Sequence, residues 1–482
     1  MPDLLNIGKT GLSASKKSLE TTSHNIANVN TEGYSRQRVV QETNLPIAKG
    51  GLIQGTGARV TGVTRSHDIY VEKRLDKATS SHHFHKERAD QLEQVENIFN
   101  EIDGDGLNKV LNKFYNSFRE LANQPENETI RSVVRDSAQL VSQDFKRVRS
   151  SLDSIAKQVD GRLEQEINEI NQAAKNIAGL NKKIAIVEGF GGETGDLRDQ
   201  RDLIIKSLSE SFEVHTYMDE RNNYIVMAKN VGTIVAGMET QELAIRGTAK
   251  EDSSNNMPGA VEVYFRDRPS SAITDKFRNG RLSSMAQVRN EDIRSLQVKI
   301  DDIAFDLANS VNALHRRGFA NRPSAPGALA DEKGPLTGID FFETPKSRDG
   351  AALELDLSAL VKDDLSNIAT ALQANSPGDN RIALAVSKLQ HERIMEGGTA
   401  TLEESYLQTI GRIGLEAGKA KLDREQSEGI LVQAQNIRER IAGVNLDEET
   451  ANMVRFQHAY QASAKVMQTA QEMFETVLSI KR

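Results

Sequence analysis

Residues 152–184, LDSIAKQVDGRLEQEINEINQAAKNIAGLNKKI, carry the clearest periodicity in the chain and decide its fold class. Apolar residues recur there at every third or fourth position, which is the spacing of one face of an α-helix. Glycines end the run at GFGG, residues 189–192. We therefore expect a mainly α protein with one long helix, whose apolar face comprises Leu152, Ile155, Val159, Leu163, Ile167, Ile170, Ala174, Ile177, Leu180 and Ile184.

Shorter segments with the same spacing predict more helices on both sides of this stretch. They cover about 68–102, 107–122, 128–150, 196–211, 280–316, 382–395 and 402–441.

The segment 212–270 has a different pattern and predicts strands. FEVHTYMDERNNYIVMAKNVGTIVAG alternates apolar and polar residues around a turn signal at Arg221-Asn222-Asn223, and GAVEVYFRD repeats the alternation after a polar SSNNMPG linker. Alternation of this kind is typical of half-buried strands and hairpins. Residues 319–350 are rich in Pro, Gly and Asp and predict a loop or an irregular extension.

The two ends of the chain each carry a narrow helical stripe. In the first stripe, strongly apolar residues alternate with small or polar ones, which suits close packing against another helix. A last helix over about 446–480 would be roughly 50 Å long. Neither stripe is wide enough for a self-contained globule, so we expect the two termini to pair as a coiled coil. The stripes are Leu5, Gly8, Leu12, Ser15, Leu19, Thr22, Ile26 and Val29, and Met453, Phe456, Tyr460, Ser463, Met467, Ala470, Phe474 and Val477.

This order of patterns predicts three domains, in agreement with 482 residues at about 150 residues per domain. We expect a terminal helical coiled-coil domain (1–35 with 442–482), a discontinuous helical-bundle domain (36–211 with 271–318 and 376–441) and a β-rich outer domain (212–270 with 319–375). The expected fold is thus mainly α with a β-rich insert, in an elongated multi-domain arrangement.

Composition excludes several classes of function. The net charge of -8 argues against a nucleic-acid or anionic-membrane surface, because both need clustered excess Lys and Arg. The absence of Cys excludes disulfides, thiolate nucleophiles and Cys-ligated zinc. The first twenty residues lack an apolar core segment, and we expect neither a Sec-type signal peptide nor a membrane-spanning helix.

Candidate sites for chemistry are weaker than their structural alternatives. His82 and His85 share a helix face beside His83, but a metal site needs a third ligand, and a solvated helix face is the simpler interpretation. Residues 101–112 resemble a calcium loop that has Asn112 where a bidentate Glu is needed, so a turn between helices is favoured. We expect no cofactor, no metal and no catalytic residue.

The glycines near residue 50 also have a structural interpretation. Gly50, Gly51, Gly55 and Gly57 lack the spacing of a phosphate loop and favour a hairpin-like connection.

Two motif boxes at opposite ends of the chain carry a resemblance. Residues 23–37, SHNIANVNTEGYSRQ, resemble the N-terminal box of the flagellar rod, hook and hook-associated proteins, and GVNLDEE at 443–449 with FQHAYQA at 456–462 resembles their C-terminal box. DLRDQRD at 196–202 and LANQPE at 121–126 are most similar to the hook-associated branch of that family. Locally, Asn side chains in the first box can bond nearby backbone while Gly33 reverses the chain.

The resemblance implies a structural part of the flagellum at the hook–filament junction, exported without a cleaved signal peptide and located outside the cell. The implied partners are further copies of the chain, the hook subunit, the next hook-associated protein, an export chaperone and the flagellar type III export apparatus. We expect neither nucleic acid nor membrane as a partner. The candidate assembly residues are Leu5, Leu12, Leu19, Ile26, Asn28, Gly33, Tyr34, Met453, Phe456, Tyr460, Met467 and Phe474.

Three alternatives stay open at this point. A hook or distal-rod subunit would carry similar end motifs. A cytoplasmic helical scaffold would fit the middle of the chain taken alone. A metal-dependent enzyme is the alternative with the least support.

Overall fold

The computed structural model describes residues 2–49, 52–99, 106–219, 223–247, 259–322, 330–331 and 334–480. The chain begins with helix α1, Pro2–Ala27, followed by an antiparallel hairpin that packs on α1. The outer strands of the hairpin, β1 (Gln37–Thr43) and β4 (Ala58–Arg65), pair with a bulge between Val40 and Gln41. Its tip contains β2 (Ile47–Lys49) and β3 (Leu52–Gln54). The predicted hairpin-like connection near residue 50 is confirmed at Gly55 and Gly57, whereas Gly50 and Gly51 lie outside the described residues.

Four helices follow, and the third of them is much longer than the others. They are α2 (Ile69–Phe99), α3 (Leu107–Asn123), α4 (Glu128–Gly189) and α5 (Gly195–Ser211). With 62 residues, α4 is ~93 Å long at 1.5 Å per residue. The sequence predicts separate helices over 128–150 and 152–184, but no Gly or Pro interrupts the segment between them and the structure has a single helix.

The predicted strands of 212–270 are confirmed. A four-stranded antiparallel sheet contains β5 (Val214–Met218), β6 (Tyr224–Ala228), β7 (Gly232–Ala236) and β8 (Glu239–Thr240), and β9 (Leu243–Gly247) pairs with β10 (Val261–Phe265). Two buried asparagines of α4 fasten these sheets to the helix. The Asn171 amide bonds both the N–H and the C=O of Leu243, and Asn181 donates to the carbonyl of Gly237. In the predicted turn and linker, residues 221–222 and 253–258 lie outside the described residues.

A continuous helix covers the predicted segment 280–316. It consists of α6 (Gly280–Gln287), a π-helical turn at Val288–Ile293 and α7 (Arg294–His315). The π turn brings Asn290 to β10, where its side chain bonds the backbone N–H of Val261 at 2.9 Å and the carbonyl at 3.0 Å. The turn therefore links the helical and β-rich parts of the chain.

The described part of 319–375 is mostly irregular, with β11 (Ala330–Asp331), β12 (Gly334–Pro335), α8 (Ala351–Glu354) and α9 (Ala359–Asp363). Side chains of the neighbouring helices hold its backbone in place. Arg131 on α4 is 2% exposed and donates to the carbonyls of Pro125, Leu365 and Ile368. His315 is fully buried between Ile339 and Ala369.

The chain ends in three helices, α10 (Arg381–Lys388), α11 (Leu402–Ala442) and α12 (Leu446–Ile480). A capping box begins α11, because Thr401 Oγ1 accepts from the Glu404 N–H while the Glu404 carboxylate accepts from the Thr401 N–H. The Asn445 side chain caps α12 by accepting from the N–H groups of Asp447 and Glu448.

The core lies within residues 69–442, here called the body. One continuous apolar cluster contains buried residues of α3, α4, α7, both sheets and 319–375, with Phe341 and Phe342 packed on Phe114 and Phe118. Among the described residues, α1 and α12, here called the terminal pair, contribute nothing to this cluster. The prediction of a mainly α fold with a β-rich insert is confirmed. The exact domain boundaries stay a prediction, since sheets and helices of the body share this core.

Candidate assembly interface

The terminal pair is antiparallel and packs at close range. A Cβ added to Gly8 would lie 2.7 Å from Met467 Cγ, and one added to Gly11 would lie 2.9 Å from Ser463 Oγ. At the other end, the Asn25 amide donates to Glu449 Oε2 at 3.2 Å. Gly8, a small residue of the predicted first stripe, and Gly11 beside it therefore lie at a close contact, because glycine allows the two helices to approach.

The buried face of α1 is small and polar rather than apolar. Two of its hydroxyls bond carbonyls of the preceding turn, Ser18 to Ala14 and Thr21 to Lys17, so they need no partner across the interface. The buried residues of this face are Gly8, Ala14, Ser15, Ser18, Thr21, Thr22 and Asn25. Sequence reasoning underestimated this face because hydroxyl and amide side chains carry no apolar signal.

The large apolar residues predicted as assembly contacts lie at the edge of this pair or on its outer surface. Leu5 is 40%, Tyr460 38% and Phe474 52% exposed. The half-buried members of the set are Leu12, Leu19, Ile26, Met453, Phe456 and Met467. Their role in subunit contacts stays a prediction.

Helix α12 extends past the start of α1. Gly8 lies opposite Met467, which places Pro2 near position 473, while α12 continues to Ile480. The overhanging turns carry Phe474, Val477 at 47% and Leu478 at 53% exposure. The described end of α12 therefore carries several exposed apolar side chains.

The pair is fixed to the body by a polar joint, here defined as residues 24–37, 196–202 and 438–449. Its centre is Asn25, 1% exposed, whose Oδ1 accepts from Tyr34 Oη at 2.8 Å and from the Gln37 N–H at 2.9 Å. The Asn25 amide nitrogen donates to the Gln37 carbonyl as well as to Glu449. One buried asparagine thus ties the end of α1 to the returning chain and to α12.

The predicted turn residues form the bend of the joint. The Asn28 amide donates to the carbonyl of His24, and its Oδ1 accepts from Thr31 Oγ1. Gly33 has φ +80°, and a Cβ there would lie 3.2 Å from a methyl carbon of Leu203. This is the local role that the sequence predicts for the Asn residues and Gly33. Tyr34 is 8% exposed, and burial raises the pKa of its hydroxyl.

Arg36 links the two motif boxes directly. Its guanidinium lies 2.7 Å from Glu448 and 2.6 Å from Glu449, and its backbone N–H donates to the Ala442 carbonyl at 2.8 Å. Burial works to lower the pKa of Arg36, but the hydrogen bond to Glu448 and the charge of Glu449 outweigh it and raise the pKa. Glu449 is only 2% exposed, so this carboxylate depends on its partners.

The segment DLRDQRD presents carboxylates from the start of α5 to the joint. Asp199 accepts from the Ser35 N–H at 2.9 Å and from Arg65 at 2.8 Å, and Asp196 accepts from Gln37 Nε2 at 2.7 Å. From α11, Arg438 donates to the Gly33 carbonyl at 3.1 Å. The residues of the joint that the predicted assembly set omits are Asn25, Arg36, Asp199, Arg438 and Glu449. Asn25, Arg36 and Glu449 lie within the motif boxes. Asp199 could also have been found, because the acidic residues at 196, 199 and 202 share one helix face.

A cleft beside the joint is a further feature to weigh as a ligand site. It has a volume of about 420 Å³ and lies between the first motif box, α2, α5 and the end of α11. Glu72 on its wall pairs with Arg438, yet burial raises the pKa of this carboxyl above its ordinary value. The lining carries both signs of charge and forms a water-accessible part of the joint.

The candidate metal residues serve as helix contacts. His82 Nδ1 lies 3.5 Å from Ser427 Oγ on α11, and His83 Nε2 lies 3.8 Å from Glu210. Within the part of the chain that the structure describes, no group of three or more His, Cys, Asp or Glu residues could hold a metal ion. In the calcium-like segment, residues 101–105 lie outside the described residues and Asn112 bonds Asn108. None of the helices in the described part of the chain combines the length and the apolarity that crossing a membrane requires.

Comparisons with known proteins agree with this architecture. Residues 92–329 match the family model "Flagellar hook-associated protein FlgK helical domain". Residues 5–34 match "Flagella basal body rod protein", and residues 440–480 match "Flagellar basal body rod FlgEFG protein C-terminal". The two end matches cover most of α1 and all of α12, which are the two partners of the terminal pair.

Curated relatives match along the full length. Flagellar hook-associated protein 1 of Bacillus subtilis is 28% identical, over 98% of this chain and 97% of the relative. The proteins of the same name from Escherichia coli and Salmonella typhimurium are 25% and 26% identical, over 100% of both chains. The solved flagellar hook junction protein FlgK from Burkholderia pseudomallei has the same fold, with a TM-score of 0.64 at 14% identity over 77% of this chain and 100% of that chain. The resemblance carried by the two motif boxes is confirmed: the chain is similar along its full length to flagellar hook-associated protein 1 of several bacteria, and its middle matches the model of the FlgK helical domain.

Proposed function

We propose that this chain is a structural component of the bacterial flagellum that forms the hook–filament junction and allows the filament to assemble on the completed hook. The observation that carries the proposal is the full-length similarity to hook-associated protein 1 of three organisms. The role is structural and not enzymatic. The chain acts outside the cell as part of the flagellum, and it is exported without a cleaved signal peptide.

The mechanism is helix packing between copies. The terminal pair holds its own helices together through small residues, which leaves Leu5, Tyr460 and Phe474 exposed for contacts with neighbours. Burial of such side chains stabilises a contact by about 25 cal/mol per Å² of apolar surface. The joint fixes the direction in which the terminal pair leaves the body, so that many copies can present the same face.

The partners follow from this position. They are further copies of the chain, the hook subunit below and the next hook-associated protein above. Before assembly, an export chaperone and the flagellar type III export apparatus handle the chain. The rod-protein matches at residues 5–34 and 440–480 also support a second candidate, a hook or distal-rod subunit.

Electron microscopy of a strain lacking the gene, with an assay for flagellin in the medium, tests the function. We expect bare hooks of normal length and flagellin lost to the medium. Missing hooks would move the protein to the earlier position of a rod or hook subunit. Intact filaments would refute a junction role.

A single substitution tests the contact mechanism. Leu19 is half-buried in the terminal pair. We expect Leu19→Asp to abolish junction assembly, because a carboxylate in an apolar contact is left without a partner. The body should keep its cooperative unfolding transition, which circular dichroism measures. Normal filament growth in this variant would contradict the mechanism.

A further inference from the structure

His24 brings the end of helix α1 to the start of α5. It lies in the last turn of α1, and Asp196 lies in the first turn of α5. His24 Nδ1 lies 3.0 Å from Tyr34 Oη, and His24 Nε2 lies 3.7 Å from Asp196 Oδ2. The two ring nitrogens therefore face groups of different chemistry, a hydroxyl and a carboxylate. Which nitrogen carries a hydrogen decides whether the contact with α5 is favourable.

The backbone of Gln37 fixes the orientation of the Asn25 side chain. Its N–H group can only donate and lies 2.9 Å from Asn25 Oδ1, while its carbonyl can only accept and lies 2.9 Å from Asn25 Nδ2. Because Asn25 Oδ1 is an acceptor, the Tyr34 hydroxyl 2.8 Å away must donate its hydrogen to it. Burial raises the pKa of Tyr34, so the hydroxyl keeps this hydrogen at neutral pH.

The orientation of Tyr34 in turn fixes the hydrogens of His24. The hydroxyl has one hydrogen and has already donated it, so its oxygen can only accept from His24 Nδ1. A neutral imidazole carries a single N–H, which is therefore on Nδ1. Neutral His24 consequently turns the lone pair of Nε2 toward the Asp196 carboxylate, and two acceptors face each other at 3.7 Å.

A proton changes the sign of this contact. Since Nδ1 already carries a hydrogen, an added proton goes to Nε2, where it forms a charge-assisted contact with the facing carboxylate. Asp196 is positioned for it, because its Oδ1 accepts from Gln37 Nε2 at 2.7 Å and the start of a helix favours a negative charge. Histidine is the side chain that changes its charge between about pH 8 and pH 5.

Water reaches this contact, because the His24 side chain is 42% and the Asp196 side chain 58% exposed. The proton can therefore come from solvent, and the ion pair that it creates is of the exposed kind, which contributes modestly. The charged groups around the contact are engaged with one another. They are Lys16 with Glu20, Lys17 with Glu193, Arg36 with Glu448 and Glu449, Arg65 with Asp199, and Arg198 with Glu188.

We propose that His24 and Asp196 form a pH-sensitive switch in the joint: a proton taken up at His24 Nε2 fastens the end of α1 to the start of α5, and loss of that proton releases the contact. The terminal pair is thus held to the body more firmly in mild acid than in mild alkali. The switch acts through one side chain of each part, and it leaves the core of the body untouched.

Nuclear magnetic resonance of the full-length chain tests the hydrogen positions. The chain is labelled with nitrogen-15 in its histidines, and His24→Gln identifies the two signals of the His24 ring. At about pH 8 we expect the chemical shifts to show the hydrogen on Nδ1, and at about pH 5.5 to show hydrogens on both nitrogens. A hydrogen on Nε2 at pH 8 would overturn the proposal, because the contact with Asp196 would then not depend on a proton.

Hydrogen exchange tests the effect on the joint. Exchange of residues 25–37 is measured at pH 5.5 and pH 8 and divided by the exchange of an unstructured peptide, which removes the chemical effect of pH. We expect the protection of the unmodified chain to rise about twofold to fivefold more between pH 8 and pH 5.5 than that of His24→Gln, as for an exposed ion pair. Asp196→Asn should lose the same increment, since the amide keeps an oxygen for Gln37 but offers no charge.

The matched control is His458→Gln, which removes an exposed histidine from α12 within the same terminal pair. It should keep the full increment, and residues 152–184 of the body should show no difference between the variants. An increment that survives in His24→Gln or in Asp196→Asn, or one that disappears in His458→Gln, would overturn the proposal.

Discussion

In the body, α4 keeps Leu152, Val159 and Leu163 completely out of solvent, whereas the terminal pair leaves Leu5 40% and Phe474 52% exposed. Both regions are helical, and both carry apolar residues at helical spacing. The body closes its apolar faces on a core shared by helices and sheets. The terminal pair uses small residues to hold itself together and keeps large ones outside. The difference separates residues that fold the chain from residues that are free to join it to others.

The largest expected effect comes from a matched pair of aromatic truncations. Phe118 is fully buried against Phe114 and Phe341, and Phe118→Ala should lower the free energy of unfolding by about 3–5 kcal/mol. Phe474→Ala on the overhang should change it by less than about 0.5 kcal/mol, because surface substitutions do little. Urea unfolding of both purified variants measures this difference. Equal losses would erase the distinction between the two regions.

A substitution in the joint tests whether the terminal pair and the body unfold separately. Arg36→Ala removes the cationic partner of the buried Glu449 carboxylate, and breaking a buried ion pair in this way costs about 3 kcal/mol or more. We expect the loss to appear as faster hydrogen exchange and proteolysis at residues 442–449, with the body unaffected. Adding Glu449→Gln should recover much of the loss. Uniform destabilisation of the whole chain would mean that the joint and the body unfold as one unit.

The stability of the body should depend on pH through the buried His315. Burial lowers the pKa of His315 from 6.5 to about 4, so the folded chain resists a proton that the unfolded chain accepts. The contribution of His315 to the free energy of unfolding is therefore present above pH 6.5 and is lost as the pH falls toward 4. Between pH 7 and pH 5 this residue should remove about 2 kcal/mol of unfolding free energy. The decrease measured by urea unfolding should be smaller by that amount in His315→Gln, and an identical decrease would show that His315 is not the group responsible.

The smallest expected effect compares two glycines. Gly8→Ala brings a Cβ to within 2.7 Å of Met467 Cγ, so the Met467 side chain must move and the terminal pair should loosen slightly. Gly161→Ala on the open face of α4 meets nothing and should stabilise the helix by about 0.5–1 kcal/mol. Thermal unfolding of both variants and hydrogen exchange of α1 measure whether each substitution stabilises or destabilises the protein. Stabilisation of α1 by Gly8→Ala would show that the pair is less closely packed than described.

Much of the helical framework follows from apolar spacing, since the segments at 107–122, 196–211 and 402–441 begin and end within a residue or two of the observed helices. Spacing could not reveal which polar residues are buried. Asn25 and Arg36 are residue types that are common on a solvated surface, and their contacts include Glu449, more than 400 positions away, which no local pattern predicts. The irregular course of 319–350 was predicted, but the side-chain bonds that hold this segment, such as those of Arg131 to its backbone, leave no periodic signal.

Two segments of the chain connect the terminal pair to the body, one after α1 and one between α11 and α12. Arg36 ties them together, through its N–H to the Ala442 carbonyl and its guanidinium to Glu448 and Glu449. A pulling or twisting force on the terminal pair is therefore divided between both segments before it reaches the body. A single connecting segment would rotate under torque, whereas two segments joined by hydrogen bonds and ion pairs transmit the torque to the body.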